Sequence, residues 1–251
     1  MKSKLFVIAF AFLFVGCQHK PMHVVSTTHR MVAVDASMDA IQDTAYLNYL
    51  QPVKQQLNEQ LDIVIGQVKE DMFAALPESN LLNWTADALF DAAKRHYNGT
   101  VDFAVVNVGG VRCSWAKGDL TMRQVFELMP FDNRLVILTV TGNEVLELAE
   151  NFVPWGGQGV SKQIRMELTP KKVKSVLLHG KKIVPEAVYY IATSDYLSGG
   201  TDKLYALNKY SDIVDTHLLI RDLYIEQVQL TTEKNEQIYS PIDGRMTIIK
   251  N

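Results

Sequence analysis

The chain has 251 residues, with 25 Lys and Arg against 28 Asp and Glu for a net charge of −3, and an isoelectric point near 6.1. Apolar residues make up 47% of it, enough to build a full core and too many for an unstructured chain of this length. The acidic balance lacks the basic footprint that binding to a phosphate backbone needs, so no nucleic-acid partner is expected.

Lys2 and Lys4 precede an apolar run, Leu5 to Val15, that ends at Phe14-Val15-Gly16-Cys17. The run is too short to span a bilayer, and its charged start and small terminal residue make residues 1–16 a secretion signal. Cys17 directly after Gly16 resembles the bacterial lipobox, from which Phe14 departs as an unusual first residue. That resemblance implies cleavage before Cys17 and lipidation of its thiol, in an exported protein anchored to the periplasmic or surface side of the cell envelope. Ordinary secretory cleavage is the alternative. Loss of residues 1–16 leaves 23 basic and 28 acidic residues, a net charge of −5, and Cys113 as the unmodified cysteine. One thiol makes neither an intramolecular disulfide nor a redox pair, so Cys113 reads as a packed small residue.

Residues 17–38 are polar and irregular, as suits a tether. Residues 39–61 form an N-terminal helical segment, in which Ile41, Ala45, Tyr49, Val53, Leu57 and Leu61 recur at helical spacing and Pro52 interrupts. Residues 62–251 form the main domain. It opens on a strand, Asp62 to Gly66, and a long amphipathic helix follows Asn80 with Leu81, Trp84, Ala88, Leu89 and Ala93 inward and Asn98-Gly99 as its stop. Val101 to Asn107 reads as a strand. Thr121 with Gln124, and Thr141 with Glu144, have capping-box spacing and open two further helices, with a strand from Leu135 to Val140 between them. Shorter strands follow from Gln163 to Thr193, including a hairpin turn at His179-Gly180-Lys181. The spacing of Ile213, Leu218, Leu219, Leu223 and Ile225 predicts a last helix over about 212–228. Helices and strands alternate first and strands dominate the middle, so the class is α/β or α+β.

The stretch with most chemistry is Asn107-Val108-Gly109-Gly110-Val111-Arg112, where an apolar strand gives way to a loop. Two glycines let the backbone approach a ligand, and Asn and Arg are directional donors. Taken alone it is equally a tight turn. Met129-Pro130-Phe131-Asp132-Asn133 follows, and then Ser194-Asp195-Tyr196-Leu197-Ser198-Gly199-Gly200-Thr201-Asp202. In that order the three segments resemble the C-terminal domain of the 5′-nucleotidase family, whose members carry Asn-x-Gly-Gly-Ile-Arg-like, Pro-Phe-Gly-Asn-like and Asn-Asp-Phe-x-x-x-Gly-Gly-Asp-Gly-like segments. The resemblance runs from about Ile65 through Asn80-Leu81-Leu82-Asn83 to Asp243-Gly244-Arg245.

What the resemblance implies is a layered α/β fold of mixed sheets flanked by helices that recognises a nucleoside or nucleotide. Phe131 and Tyr196 would sandwich the base, Asn107 bond its edge, Asp202 the ribose hydroxyls, and Arg112 the ribose or phosphate side. Gly109 and Gly110 shape the loop, and Asn133 is a further polar candidate. Read without it, Phe131 and Tyr196 are core aromatics, Asp202 a turn-former and Asn107 a loop cap. The chain departs from the pattern at four places: Leu76-Pro77-Glu78 supplies no arginine before Asn80, Leu82 replaces a glycine, and so do Asp132 and Lys203. A lost cation and an added Asp132 carboxylate should weaken phosphate contacts.

In full-length relatives a separate metallophosphoesterase domain holds two divalent metals through Asp-x-His, Gly-Asn-His-Asp/Glu and His-x-His patterns. The six histidines here are scattered, and Asp215-Thr216-His217 stands alone within the predicted last helix. Too few residues precede Ile65 for such a domain, and no Gly-x-Ser-x-Gly, Walker or His-Glu-x-x-His motif occurs. The expectation is therefore a recognition half with no cofactor and no catalytic residue of its own, whose metals belong to a separate metallophosphoesterase chain. The alternatives are a non-catalytic nucleoside-binding lipoprotein and a surface interaction protein that has lost its ligand.

Overall fold

The computed structural model describes residues 23–40 and 43–249. The signal segment and Cys17 lie outside them. The chain divides into two units, the first ending at Leu50 and the second starting at Gln51. In the first, residues 23–34 are exposed and without regular structure, and a short 3-10 turn, Ala36–Ala40, follows. Helix α1, Thr44–Leu61, opens with Asp43 Oδ1 accepting from the Tyr46 N–H at 3.0 Å. It is one helix that runs through Pro52, and none of its residues is buried.

In the second unit, β1 (Val64–Val68) pairs antiparallel with β3 (Gly118–Thr121). Between them lie α2 (Asn80–His96) and β2 (Phe103–Val106). Helix α3 (Met122–Leu128), strand β4 (Arg134–Thr141) and helix α4 (Gly142–Phe152) follow. Both helices open as the capping-box spacing predicts: the side chains of Gln124 and Glu144 accept at 2.8 Å from the backbone N–H groups of Thr121 and Thr141. Then come β5 (Gly159–Val160), β6 (Ile164–Leu168), β7 (Val173–Leu178), β8 (Lys181–Lys182) and β9 (Val188–Ser194). His179 and Gly180 turn the β7–β8 hairpin with φ of 49° and 76°, the left-handed pair such a tight turn requires. The last elements are α5 (Asp195–Ser198), β10 (Asp212–Leu219), α6 (Ile220–Glu233) and β11 (Met246–Ile248).

The predicted last helix is thus corrected. Residues 212–219 form an edge strand, and the helix starts only at Ile220. Ile213, Val214 and Thr216 are β-branched, and the free edge of β4 supplies ladder partners, with Ile213 opposite Leu138 and Val214 opposite Ile137. The register shifts between Asp215 and Leu219, where His217 takes a φ of 59°.

The main sheet has the order β10-β4-β9-β2-β5, and a second has β11-β6-β7-β8. Both are mixed, since β2 runs parallel to β9 and β11 to β6 while the other pairs are antiparallel. Strand alternation sorts the main sheet's side chains into two cores. Ala104, Val106, Leu135 and Ile137 pack with α2 and α6 through Leu89, Ala92, Leu223 and Val228. Phe103, Val105, Val136 and Leu138 pack with α4 and the second sheet through Leu148, Phe152, Ile164 and Met166. This is the layered arrangement of mixed sheets and helices that the family resemblance implies.

Candidate functional site

Parallel strands β2 and β9 end side by side, and antiparallel β4 begins at that same edge, with Leu135 opposite Ser194. Three loops therefore meet at the carboxyl ends of a parallel pair, a place where α/β sheets commonly bind ligands. The first, after β2, carries Asn107 and the short 3-10 turn Val108–Gly110, closed by Gly110 N–H donating to Asn107 O at 3.1 Å. The buried Gln158 fixes it by accepting from Val108 N–H at 2.9 Å. The second, before β4, carries Phe131 and Asn133. The third carries Tyr196 on α5 and then Asp202.

These loops enclose a cavity of about 310 Å³ lined by Asn107, Gly109, Gly110, Arg112, Phe131, Asn133, Tyr196 and Asp202. All eight residues singled out in the sequence meet there. Phe131 and Tyr196 are 38% and 45% exposed, so neither is the core aromatic it could have been. The volume lies in the lower part of the range for small-molecule sites. A hollow of about 430 Å³ beside α1 is larger, but one stretch, residues 51–63, supplies its whole lining, and it has neither aromatic side chain nor glycine loop.

Asp202 is the polar centre of the cavity. Its Oδ2 accepts from Asn107 Nδ2 at 2.6 Å and its Oδ1 from the Tyr196 hydroxyl at 3.2 Å, across 95 residues of sequence in the first case. Asp202 and Lys203 both have left-handed backbones, with φ of 53° and 60°. Aspartate tolerates that region better than most residues, while the glycine that the family pattern has at Lys203 would adopt it without strain. Arg112 brings the positive charge: its Nη1 donates to Gly109 O at 3.2 Å and its guanidinium lies 5.9 Å from the Phe131 ring centre. The cavity thus offers two aromatic faces, an amide, a carboxylate and a guanidinium.

Gly110 is required by close approach. A Cβ there would stand 2.7 Å from Asn107 Oδ1, whereas at Gly109 the nearest atoms would be 3.6 Å and 3.9 Å away, on Asn107 and Asp202. Because the clash at Gly110 is with the end of a side chain, Gly110→Ala should change unfolding free energy by less than about 1 kcal/mol. It should nevertheless push Asn107 off Asp202 and weaken ligand binding by about tenfold, read by calorimetric titration.

Sequence reasoning missed Arg221. The carboxylate of Asp132, expected to burden the phosphate end, is engaged by the Arg221 Nη2 at 3.0 Å. Arg221 lies 89 residues away in the segment misread as mid-helix, and nothing local marks it. Asp195 was visible only as a motif letter; its Oδ1 accepts from the N–H groups of Arg134 at 3.0 Å and Tyr196 at 2.9 Å, tying the second loop to the third.

Cys113 is half-buried, and burial, aided by the nearby Glu127 charge, pushes its thiol up to about 11, which keeps it protonated and non-nucleophilic near neutral pH. His96 meets Glu226, and His217, on strand β10 rather than on a helix, meets Asp215. Among the described residues no three His, Cys, Asp or Glu side chains converge as metal ligands would.

Fold and cavity define a mixed α/β domain with a small cavity, flanked by two aromatic side chains, at one sheet edge. The chain belongs to the 5′-nucleotidase, C-terminal domain family, which matches residues 64–209. It is similar to a 5′-nucleotidase of Vibrio vulnificus, 30% identical over 211 residues that cover 80% of this chain and 36% of that one. Protein UshA of Yersinia enterocolitica is 26% identical over 209 residues, 82% of this chain and 38% of its own length. The chain therefore spans little more than a third of these curated relatives. Its fold is similar to part of a 5′-nucleotidase precursor from Thermus thermophilus, with a TM-score of 0.69 and 24% identity over 82% of this chain and 42% of that one.

Proposed function

We propose that this chain is the nucleoside- or nucleotide-recognition half of a 5′-nucleotidase-type phosphohydrolase, lipid-anchored through Cys17 to the cell envelope. A separately encoded metallophosphoesterase chain would supply two divalent metals and the attack of water on phosphate. The observation that carries the reading is the meeting of eight residues from three distant loops around one cavity. Phe131 and Tyr196 supply the faces for a base, Asn107 and Asp202 the hydrogen-bonding groups for base edge and ribose, and Arg112 the cation for the phosphate side. The match to the family over residues 64–209 supports the recognition role.

The test is calorimetric titration of the purified domain with adenosine and AMP, beside a phosphate-release assay with Mn²⁺. Binding of both without release, and release on adding the metal-bearing partner, is the expected result. Binding that no candidate partner converts into hydrolysis would favour a nucleoside-binding lipoprotein. Binding of neither ligand would remove the recognition role.

A further inference from the structure

The loop that carries Phe131 is held from the first turn of α6 at three consecutive residues. Ile220 N–H donates to Asn133 O at 2.9 Å, Arg221 Nη1 to Phe131 O at 3.4 Å, and Arg221 Nη2 to Asp132 Oδ1 at 3.0 Å. The Arg221 guanidinium lies 4.5 Å from the centre of the Phe126 ring, and its side chain is only 13% exposed. A planar fork covered on one face by an aromatic ring has little freedom, so its two donating nitrogens are aimed rather than merely nearby. Asp132, in contrast, is 82% exposed, and a pair with one such partner adds little to global stability.

From this we infer that Arg221 is a positioning residue for the ligand cavity. It does not itself line the cavity but fixes the backbone of the residues, Phe131 and Asn133, whose side chains do. Asp132, which replaces the glycine of the family pattern, becomes the second handle of the same grip. Its charge is spent on Arg221 rather than set against a ligand phosphate. The inference rests on the recognition reading for its effect on affinity, but not for its effect on the loop.

Three variants test it: Arg221→Met, Asp132→Gly, and both together. Each is measured by adenosine titration, by amide hydrogen exchange of a peptide spanning residues 129–134, and by thermal unfolding. Arg221→Met should weaken adenosine binding about tenfold and speed exchange in that peptide alone. Asp132→Gly should weaken binding by about threefold, since the bond to Phe131 O survives, and the double variant should be no worse than Arg221→Met. Coupling of that kind, with exchange elsewhere unchanged, is a readout that a general structural role would not give. Faster exchange throughout the domain with a matching fall in melting temperature would overturn the inference, as would unchanged exchange in residues 129–134. Should Arg221→Met fold poorly, Asp132→Gly decides, because loss of a side chain 82% exposed costs the fold little. If the unmodified protein binds no adenosine, the recognition reading fails while the exchange measurement still settles whether Arg221 holds the loop.

Discussion

Replacing Arg245 with methionine is expected to destabilise the domain by about 3–5 kcal/mol near neutral pH, the usual cost of removing one partner from a buried charge cluster. Arg245 is 1% exposed. Its Nε and Nη2 donate to the two carboxylate oxygens of Asp243 at 3.1 Å and 2.8 Å, while Nη1 donates to Asp87 Oδ1 at 2.8 Å and Val160 O at 3.2 Å. One guanidinium thereby joins α2, β5 and the segment entering β11. Methionine fills similar volume, so the loss falls on the charge and its hydrogen bonds rather than on packing. Burial alone would raise the Asp243 carboxyl, but the hydrogen bonds and charge of Arg245, with Arg165, outweigh it and hold the group below its ordinary value. A depressed carboxyl contributes stability that is complete above its unfolded value, about pH 4, and is lost as pH falls through the lower folded value. Asp91 and Asp102, raised chiefly by burial, act in the opposite sense, so the informative quantity is the difference between the two proteins. In urea unfolding that difference should be largest near neutral pH and narrow in acid. A gap below about 1 kcal/mol near neutral pH would mean that Asp87 and Asp243 return to water without cost.

Elements whose signals are local were legible in the sequence. The two capping boxes, the Asn80 helix and the strand ending at Asn107 stand within a few residues of where spacing placed them, because caps and apolar periods are set by neighbours in the chain. The region 212–219 was not. Its leucines mimic a helical face, and only pairing with β4, some 75 residues earlier, decides for a strand. The site divides in the same way. Periodicity alone could not bring Asn107, Phe131 and Tyr196 together; the family resemblance did, because motif order carries the topology with it. Arg221 belongs to no motif. Its role exists only because α6 begins immediately after the β10 edge strand, so the error over that strand also concealed the residue holding the second loop.

Removing both aromatic faces, with Phe131→Ala and Tyr196→Ala combined, should have the largest effect on ligand binding of any change in the cavity. Stacking on a base is worth roughly 1–3 kcal/mol per aromatic side chain, so each single variant should bind adenosine roughly five- to 150-fold more weakly. The double variant should fall below calorimetric detection unless the two losses overlap strongly. Both rings are more than a third exposed, so the fold should tolerate the changes with less than about 1 kcal/mol of lost stability. Tyr196→Phe separates the two parts that tyrosine plays, keeping the face and deleting the hydroxyl that donates to Asp202. Its cost should be only about 0.5–1.5 kcal/mol, the net worth of one hydrogen bond. Arg112→Met supplies the converse. Arg112 is assigned to the phosphate side, so its loss should weaken AMP more than adenosine, whereas Phe131→Ala should weaken the two alike. Equal losses for AMP and adenosine in Arg112→Met would reassign that guanidinium to supporting the Phe131 ring 5.9 Å away. Undiminished adenosine affinity in the double aromatic variant would leave the cavity without a role in holding a base.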